Sequence, residues 1–236
     1  MTNARTLTSA RKPALVGAAV AAALATAALI GVPVSTAQAG DPTNGGRAAS
    51  SLSEITVPEN VRLGSIGGEP LSEVGNVDPQ RYAGKWYQVA AIPQPFNLQC
   101  TANTTADYAV VDPGVLSVHN SCDTPFGARS EIFGQAVVKN PDTNASLRVG
   151  FDGVPGQDPA GPPNYRVTYL ADDYSLAIVG SPERTSGFVL SRTPNLDDAR
   201  WSEVRAVIND RGWTDCAFLT SPQNGGLSAM TPLCLH

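Results

Sequence analysis

The feature that most constrains this chain is a series of eight short strand-like segments between Trp86 and Arg192, each separated from the next by a turn signal. No segment with a helical period lies between them. Strands joined in this order by short turns form an antiparallel meander, and eight of them can close into a barrel without free edges. We therefore predict an all-β, eight-stranded, antiparallel up-and-down β-barrel. The predicted strands cover residues 85–92, 101–111, 115–120, 130–139, 146–151, 165–170, 174–180 and 188–192.

Helical segments flank the predicted barrel on both sides. Asp78 followed by Pro79 is typical of the start of a single helical turn, and Gly84 allows an abrupt change from that turn into the first strand. A longer helical pattern follows the eighth strand, so we predict one amphipathic helix packed outside the barrel. We expect Asn195 to cap this helix and Gly212 to end it. Its apolar face is formed by Leu196, Trp201, Val204 and Ile208.

The first 39 residues have the pattern of an export signal. A basic head without acidic residues precedes an apolar run over residues 14–34, and Ala37-Gln38-Ala39 supplies small residues for cleavage. We expect the mature chain to begin near Gly40 and to be secreted, to the extracellular or cell-envelope space, without stable membrane insertion. Because the apolar run is long enough to span a bilayer, a retained anchor is the alternative.

Residues 40–76 are rich in Gly, Ser, Pro and Asn and show neither a helical nor a strand period. We predict that they form a flexible linker or arm. The folded domain is expected to cover residues 77–236. With a hydrophobic content of 42%, the chain has enough apolar side chains to fill the core of such a domain.

Four cysteines follow the export segment, which fits an oxidising compartment and two disulfides in any of three connectivities. Cys100 and Cys122 lie almost opposite each other at the open end of the predicted hairpin, as a disulfide requires. We predict the pairs Cys100–Cys122 and Cys216–Cys234, the second of which ties the C-terminal tail to the segment after the helix. No CxxC spacing occurs, so a metal site is not expected.

Charge and motif content argue against several functions. The net charge of −5 and the low share of charged residues, 16%, argue against a nucleic-acid partner, since phosphate binding needs clustered Lys and Arg. The chain has two histidines, no G-x-S-x-G motif and no relay that we can assign. We therefore expect neither an enzyme nor a cofactor.

Three separated motifs resemble the signatures of the lipocalin family. Gly84-Lys85-Trp86 resembles its G-x-W motif, Asp172-Asp173-Tyr174 its second signature, and Leu190-Ser191-Arg192-Thr193-Pro194 its third. The last of these is especially similar to the bacterial lipocalins of the outer-membrane type. The resemblance covers about residues 77–220. Unlike those lipoproteins, this chain has no cysteine for lipid attachment near the cleavage position, so we expect a freely secreted, monomeric version.

The resemblance implies a structural role for one set of residues. Arg192 is expected to lie across the Trp86 ring at the closed end of the barrel, where cation–π attraction of roughly 0.5 to 2 kcal/mol stabilises the fold. The structural signature as a whole comprises Gly84, Trp86, Asp173, Tyr174 and Arg192.

A second set is expected to contact the ligand. Alternation along the sixth strand points Tyr165, Val167 and Tyr169 to one face, which should line the cup or the neighbouring core. Resemblance to family members whose second and third strands contact the ligand adds further positions, with Asp107 and His119 pointing outward. These added positions are Ala106, Tyr108, Val118 and Asn120.

The resemblance implies that the protein carries a small hydrophobic molecule, for which a fatty acid, a lysolipid or an isoprenoid are the expected classes. Two alternatives stay open. Some relatives isomerise or de-epoxidise lipid-like substrates within the same cup, because a fold does not fix a function. A binding module for proteins or the cell envelope, acting through the rim loops and the arm, is the other.

Overall fold

The eight predicted strands form one closed antiparallel sheet in the computed structural model, which describes residues 69–236. Consecutive strands pair in sequence order, and the eighth strand also pairs with the first, which closes the barrel. The predicted fold class is therefore confirmed. The strands are β1 (Gly84–Ala91), β2 (Ala102–Asp112), β3 (Val115–Asp123), β4 (Arg129–Val138), β5 (Ser146–Phe151), β6 (Tyr165–Leu170), β7 (Leu176–Gly180), β8 (Gly187–Ser191) and a short β9 (Leu219–Thr220).

Helix α1 (Pro79–Tyr82) is the single helical turn that the sequence predicts before β1, and it covers one end of the barrel. The Asp78 carboxylate accepts hydrogen bonds from the backbone N–H groups of Gln80 and Arg81, at 2.9 and 3.4 Å, and so caps the helix. Gly84 has a φ of +92°, a conformation that a side chain would strain, and this allows the abrupt entry into β1.

Helix α2 (Asp198–Asp210) packs outside the barrel through Trp201, Val204 and Ile208, each of which is buried. The predicted cap at Asn195 is wrong. The Asp197 carboxylate accepts the hydrogen bond from the Arg200 backbone N–H at 2.8 Å, so the helix begins two residues later. Apolar side chains on the outer face of β7 and β8 complete this second core, and we call it the helix-side core. Besides the three α2 residues it contains Leu71, Val89, Ala90, Ala171, Leu176, Ile178, Val189, Trp213, Phe218 and Leu233.

The C-terminal tail lies between β1 and β2 at the half of the barrel away from α1. Here β1 no longer pairs with β2, and β9 pairs with it instead. The backbone N–H of Ser221 donates to the Val89 oxygen at 2.8 Å. The side-chain amide of Gln223 then bridges the two strands by donating to the backbone oxygens of Gln88 and Thr104, at 2.8 and 2.9 Å.

Both disulfides join the pairs expected from the sequence. Cys100 and Cys122 connect the loop before β2 to the end of β3, across a Cα–Cα distance of 5.5 Å. Cys216 and Cys234 hold the two ends of the segment that contains β9, across 4.8 Å. The tail is thus joined covalently to the segment after α2 and is held to the barrel by hydrogen bonds.

The segment 69–76 is attached to the barrel, so the prediction of a free arm is wrong for these residues. Leu71 is fully buried, and its backbone N–H donates to the Pro182 oxygen at 2.8 Å. The Val74 N–H donates to the Val167 oxygen at 2.9 Å. The remainder of the predicted arm and the whole predicted export segment lie outside the described residues. Between residues 69 and 236, no helix is both long and apolar enough to cross a membrane.

Candidate functional site

The candidate site is the interior of the barrel, which is lined by inward-facing side chains of all eight strands and by α1. Most of these side chains are aliphatic or aromatic. The buried members of this interior core are Val77, Tyr82, Trp86, Ala106, Tyr108, Leu116, Val118, Ala136, Ala145, Leu147, Val167, Ala177, Val179 and Leu190.

Trp86 and Arg192 seal the end of the barrel next to α1, as the resemblance implies. The Arg192 guanidinium carbon lies 3.8 Å from the centre of the Trp86 ring, and Trp86 is fully buried. Burial lowers the pKa of Arg192, although the side chain keeps several carbonyl partners. The Trp86 indole N–H donates to the Tyr82 backbone oxygen at 2.8 Å, which orients the ring.

Asp173 and Tyr174 stabilise the turn beside this closed end. The Asp173 carboxylate accepts hydrogen bonds from the backbone N–H and the hydroxyl of Ser175, at 3.0 and 2.6 Å. The Tyr174 hydroxyl accepts from the Asp78 N–H at 2.9 Å, and the Arg81 guanidinium lies 3.9 Å from the centre of the Tyr174 ring. These contacts connect the turn to α1, which fits the structural role predicted for both residues.

Three tyrosine hydroxyls meet inside the barrel. The hydroxyl of Tyr165 lies 2.7 Å from that of Tyr82 and 3.4 Å from that of Tyr108. The Tyr82 ring also packs against Trp86 and Tyr108, with ring centres 5.1 and 5.6 Å apart. Burial raises the pKa of all three phenols, so they stay protonated at neutral pH. We call this group the tyrosine cluster.

The structure brings six of the seven predicted ligand-contacting residues to the barrel interior. Tyr108 pairs with Val118, and Ala106 pairs with Asn120, so these four face inward together. Asp107 and His119 point outward, and His119 stacks on Phe133 at a ring distance of 4.4 Å. On β6, Tyr165 and Val167 also face inward. Ligand contact itself stays a prediction for each of them.

Tyr169 does not share the face of Tyr165 and Val167, so that part of the prediction is wrong. In the pairing with β7, Val167 lies opposite Val179 but Tyr169 lies opposite Ile178, which leaves Thr168 as an extra residue in β6. This bulge reverses the alternation. Tyr169 therefore packs in the helix-side core, and its hydroxyl donates to the Glu203 carboxylate on α2.

Little free space remains between the interior side chains. A cavity of about 10 Å³ lies beneath α1, which is about enough for one water molecule. Its lining includes Val77, Tyr82, Leu116 and Leu147, none of which was among the predicted ligand-contacting residues. Leu116 could have been found because it shares the alternation of Val118 along β3. Val77 could not, since it precedes the first strand.

A second, more polar cavity of about 40 Å³ lies where the C-terminal tail separates β1 from β2, and Gln88, Thr104 and Ser221 contribute to its lining.

Within residues 69–236, no group of three or more His, Cys, Asp or Glu side chains is placed to hold a metal ion. The interior of the barrel thus combines an apolar wall with a few neutral polar groups.

Residues 77–223 match the model of the lipocalin-like domain family. The outer membrane lipoprotein Blc of Escherichia coli K12 is 33% identical over 156 residues, which are 66% of this chain and 84% of that protein. Temperature-induced lipocalin-1 of Arabidopsis thaliana is 29% identical over 157 residues, 65% of this chain and 83% of that protein. Lobster apocrustacyanin A1 has a TM-score of 0.49 at 14% identity and matches 67% of this chain and 93% of its own. The chain belongs to the lipocalin-like family, and its relatives include bacterial outer-membrane lipoproteins.

Proposed function

We propose that this protein is exported and carries a small hydrophobic molecule of the fatty-acid, lysolipid or isoprenoid class in its barrel. Membership of the lipocalin-like family supports the binding of a hydrophobic ligand. The single observation that carries the proposal is the closed barrel with a continuous apolar interior, to which Tyr108, Val118 and Val167 contribute inward-facing side chains. Such an interior removes an alkyl chain from water, at about 25 cal/mol per Å² of apolar surface buried.

Binding requires interior side chains to move. Pockets for small molecules measure roughly 300 to 1,000 Å³, far more than the free space beneath α1. The side chains best able to move are those of the interior core that are only partly buried, such as Phe151, Tyr165 and Phe188. We expect a ligand to select barrel conformations in which these side chains have swung aside.

Two observations support export. The two disulfides need an oxidising compartment to form and persist. In addition, the relative in Escherichia coli is described as an outer membrane lipoprotein. A cell fractionation that recovered the full-length chain with the cytoplasm, with its cysteines reduced, would contradict this part of the proposal.

A fluorescent fatty acid, cis-parinaric acid, tests carriage. Tyr108→Trp enlarges an inward side chain, whereas Tyr169→Trp makes the same change outside the barrel. We expect the wild-type protein and Tyr169→Trp to bind the probe alike, and Tyr108→Trp to lose about tenfold in affinity, as overpacking of a core costs about 1 to 3 kcal/mol. Thermal melts establish that both variants are folded. Absence of binding by the wild-type protein at a pH low enough to protonate the acid, or equal affinities for all three proteins, contradicts carriage inside the barrel.

A further inference from the structure

The tyrosine cluster contains more hydrogen-bond donors than it can use internally. Three hydroxyls supply three O–H donors, but they make only two contacts, Tyr82 with Tyr165 and Tyr108 with Tyr165. Each contact consumes one donor, whichever hydroxyl gives the proton. At least one O–H group in the cluster is thus left without an acceptor among the described residues.

An unused acceptor lies on the neighbouring strand. The side-chain oxygen Oδ1 of Asn120 is buried and has no hydrogen-bond partner in the described part of the chain. Asn120 pairs with Ala106, while Tyr108, the next inward residue of β2, pairs with Val118. Asn120 and Tyr108 are therefore one inward step apart along the same two strands. An unmatched acceptor and an unmatched donor face the same interior, where each costs folding free energy unless it finds a partner.

The interior offers no charge to pair with an ionised ligand. The strand positions that share the inward alternation of the interior core, as far as the structure describes them, hold apolar residues, Gly, Tyr, Ser, Thr, Gln and Asn, and no Asp, Glu, Lys or Arg. Arg192 does not fill this role, because it lies against Trp86 at the closed end and donates to backbone oxygens. A carboxylate or phosphate buried here would lose its hydration without gaining a counter-ion.

We propose that the ligand carried in the barrel is an uncharged lipid alcohol, such as a long-chain or isoprenoid alcohol, whose terminal hydroxyl binds between the tyrosine cluster and Asn120. That hydroxyl accepts a hydrogen bond from a tyrosine O–H and donates one to Asn120 Oδ1. A single neutral group thus satisfies both unmatched atoms. The inference rests on the proposed function. It limits the ligands to those with a neutral head group that can form hydrogen bonds with the interior side chains.

Three probes with the same hydrocarbon chain test the head group: cis-parinaryl alcohol, its methyl ether and cis-parinaric acid, all at mildly alkaline pH, where the acid is ionised. The alcohol both donates and accepts, the ether only accepts, and the carboxylate carries a charge. We expect the wild-type protein to bind the alcohol about three- to tenfold more tightly than the ether, as one added hydrogen bond permits. The carboxylate should bind most weakly, and its affinity should rise as the pH falls.

Asn120→Leu removes the unmatched acceptor at similar volume. Because Oδ1 has no hydrogen-bond partner to lose, the melting temperature of the variant should be unchanged or higher, while the preference for the alcohol over the ether disappears. Gln135→Leu, the same kind of change on the exposed outer face of β4, should alter neither. A triple variant, Tyr82→Phe with Tyr108→Phe and Tyr165→Phe, removes every O–H donor of the cluster and should weaken the alcohol and the ether together, because both accept from the cluster.

The outcomes separate this inference from the proposed function. Equal affinity of the wild-type protein for alcohol and carboxylate overturns the head-group assignment and leaves carriage of a hydrophobic molecule standing. So does an alcohol preference that survives in Asn120→Leu. If none of the three probes binds to the wild-type protein, carriage itself fails, and the assignment fails with it.

Discussion

Arg192 covers the Trp86 ring and at the same time binds the backbone around it, with its guanidinium carbon 3.8 Å from the ring centre. One side chain at the end of β8 thereby connects α1 and the start of β1. The cation–π contact and the hydrogen bonds act on the same short segment, so this end of the barrel is closed by interactions that do not involve the residues predicted to contact the ligand. The backbone oxygens that accept from Arg192 include those of Arg81, Tyr82, Ala83 and Lys85, at 2.8, 3.1, 2.9 and 2.7 Å.

Replacing Trp86 or Arg192 should therefore lower stability before it affects binding. Trp86→Ala removes a fully buried ring and should cost about 3 to 5 kcal/mol of unfolding free energy. Arg192→Ala should cost less, because its side chain is partly exposed and water can replace it at the carbonyl oxygens. Urea unfolding followed by tryptophan fluorescence measures the loss for Arg192→Ala, and circular dichroism serves for Trp86→Ala.

The opposite pattern would assign these residues to the site. If both variants unfolded at the wild-type urea concentration and yet failed to bind cis-parinaric acid, Trp86 and Arg192 would contact the ligand. The structural role that we give to the pair would then be incorrect.

The hairpin of β2 and β3 shows what could be predicted from the sequence. The alternation and a tight turn at residues 112–114 indicate which residues of the hairpin share a face. The resemblance to family members then selects the face of Ala106, Tyr108, Val118 and Asn120 as the inward one. Tyr169 shows where this fails. The alternation of residues 165–169 is just as regular, but the bulge at Thr168 depends on packing against β7 and α2, which the local pattern does not record.

The packing of the two ends of the folded region against the barrel was not predicted, for a related reason. The composition of residues 69–76 is typical of a loop, yet Leu71 is buried because β7, β8 and α2 leave a site for it in the helix-side core. The C-terminal tail likewise enters the gap between β1 and β2 through single backbone hydrogen bonds, such as that from Ser221 to Val89. Contacts of this kind join residues more than a hundred positions apart, so no window of sequence contains them.

Alkaline pH should destabilise the protein through the tyrosine cluster. Burial raises the folded-state pKa of Tyr82, Tyr108 and Tyr165 above the unfolded value of about 10. The contribution of the three protonated phenols to the free energy of unfolding is fully present below the unfolded pKa, and it is lost as the pH rises towards the folded pKa. Each phenol that stays neutral in the folded state removes about 1.4 kcal/mol of stability per pH unit above it.

Tyr165→Phe should consequently make the decline of stability between about pH 10 and pH 12 shallower. The difference between variant and wild type should stay constant at lower pH, where all phenols are protonated. Urea unfolding at several pH values measures both slopes. Parallel curves through the alkaline range would show that Tyr165 reaches water in the folded protein.

Removing the Cys216–Cys234 disulfide should loosen the C-terminal tail before the rest of the barrel. The closed loop spans 18 residues, for which chain-entropy estimates give about 3 kcal/mol. In a Cys216→Ser, Cys234→Ser double variant, we expect faster hydrogen exchange at the Ser221 amide, which donates to Val89, and at the Asn103 amide, which donates to Pro222.

The other disulfide provides the control for this experiment. Cys100→Ser with Cys122→Ser removes a bond of similar loop length at the end of the β2–β3 hairpin. That variant should lose a comparable amount of stability but keep slow exchange at Ser221. A tail that exchanged at the wild-type rate without the Cys216–Cys234 bond would show that its hydrogen bonds alone hold it.

Leu71 should behave as a core residue although it precedes the barrel. Its side chain is fully buried in the helix-side core, so Leu71→Ala should cost about 2 to 5 kcal/mol. Glu69→Ala, two residues earlier and exposed, is the matched control and should change stability by less than about 0.5 kcal/mol. Thermal or urea unfolding of the two variants decides whether residues 69–76 belong to the folded domain. Equal stabilities would restore the boundary at Val77.

Glu73 should hold the same segment in a manner that depends on pH. Burial alone would raise the pKa of its carboxyl group, but hydrogen bonds from Ser146, Asn140 and Thr143 lower it overall. The folded-state pKa is thus below the unfolded one, and the resulting stability is present above the unfolded value of about 4.3 and lost as the pH falls through the folded value. Glu73→Gln should destabilise the protein at neutral pH and approach the wild type under acid conditions. A deficit that stayed the same from neutral to acid pH would mean that the carboxylate charge contributes nothing.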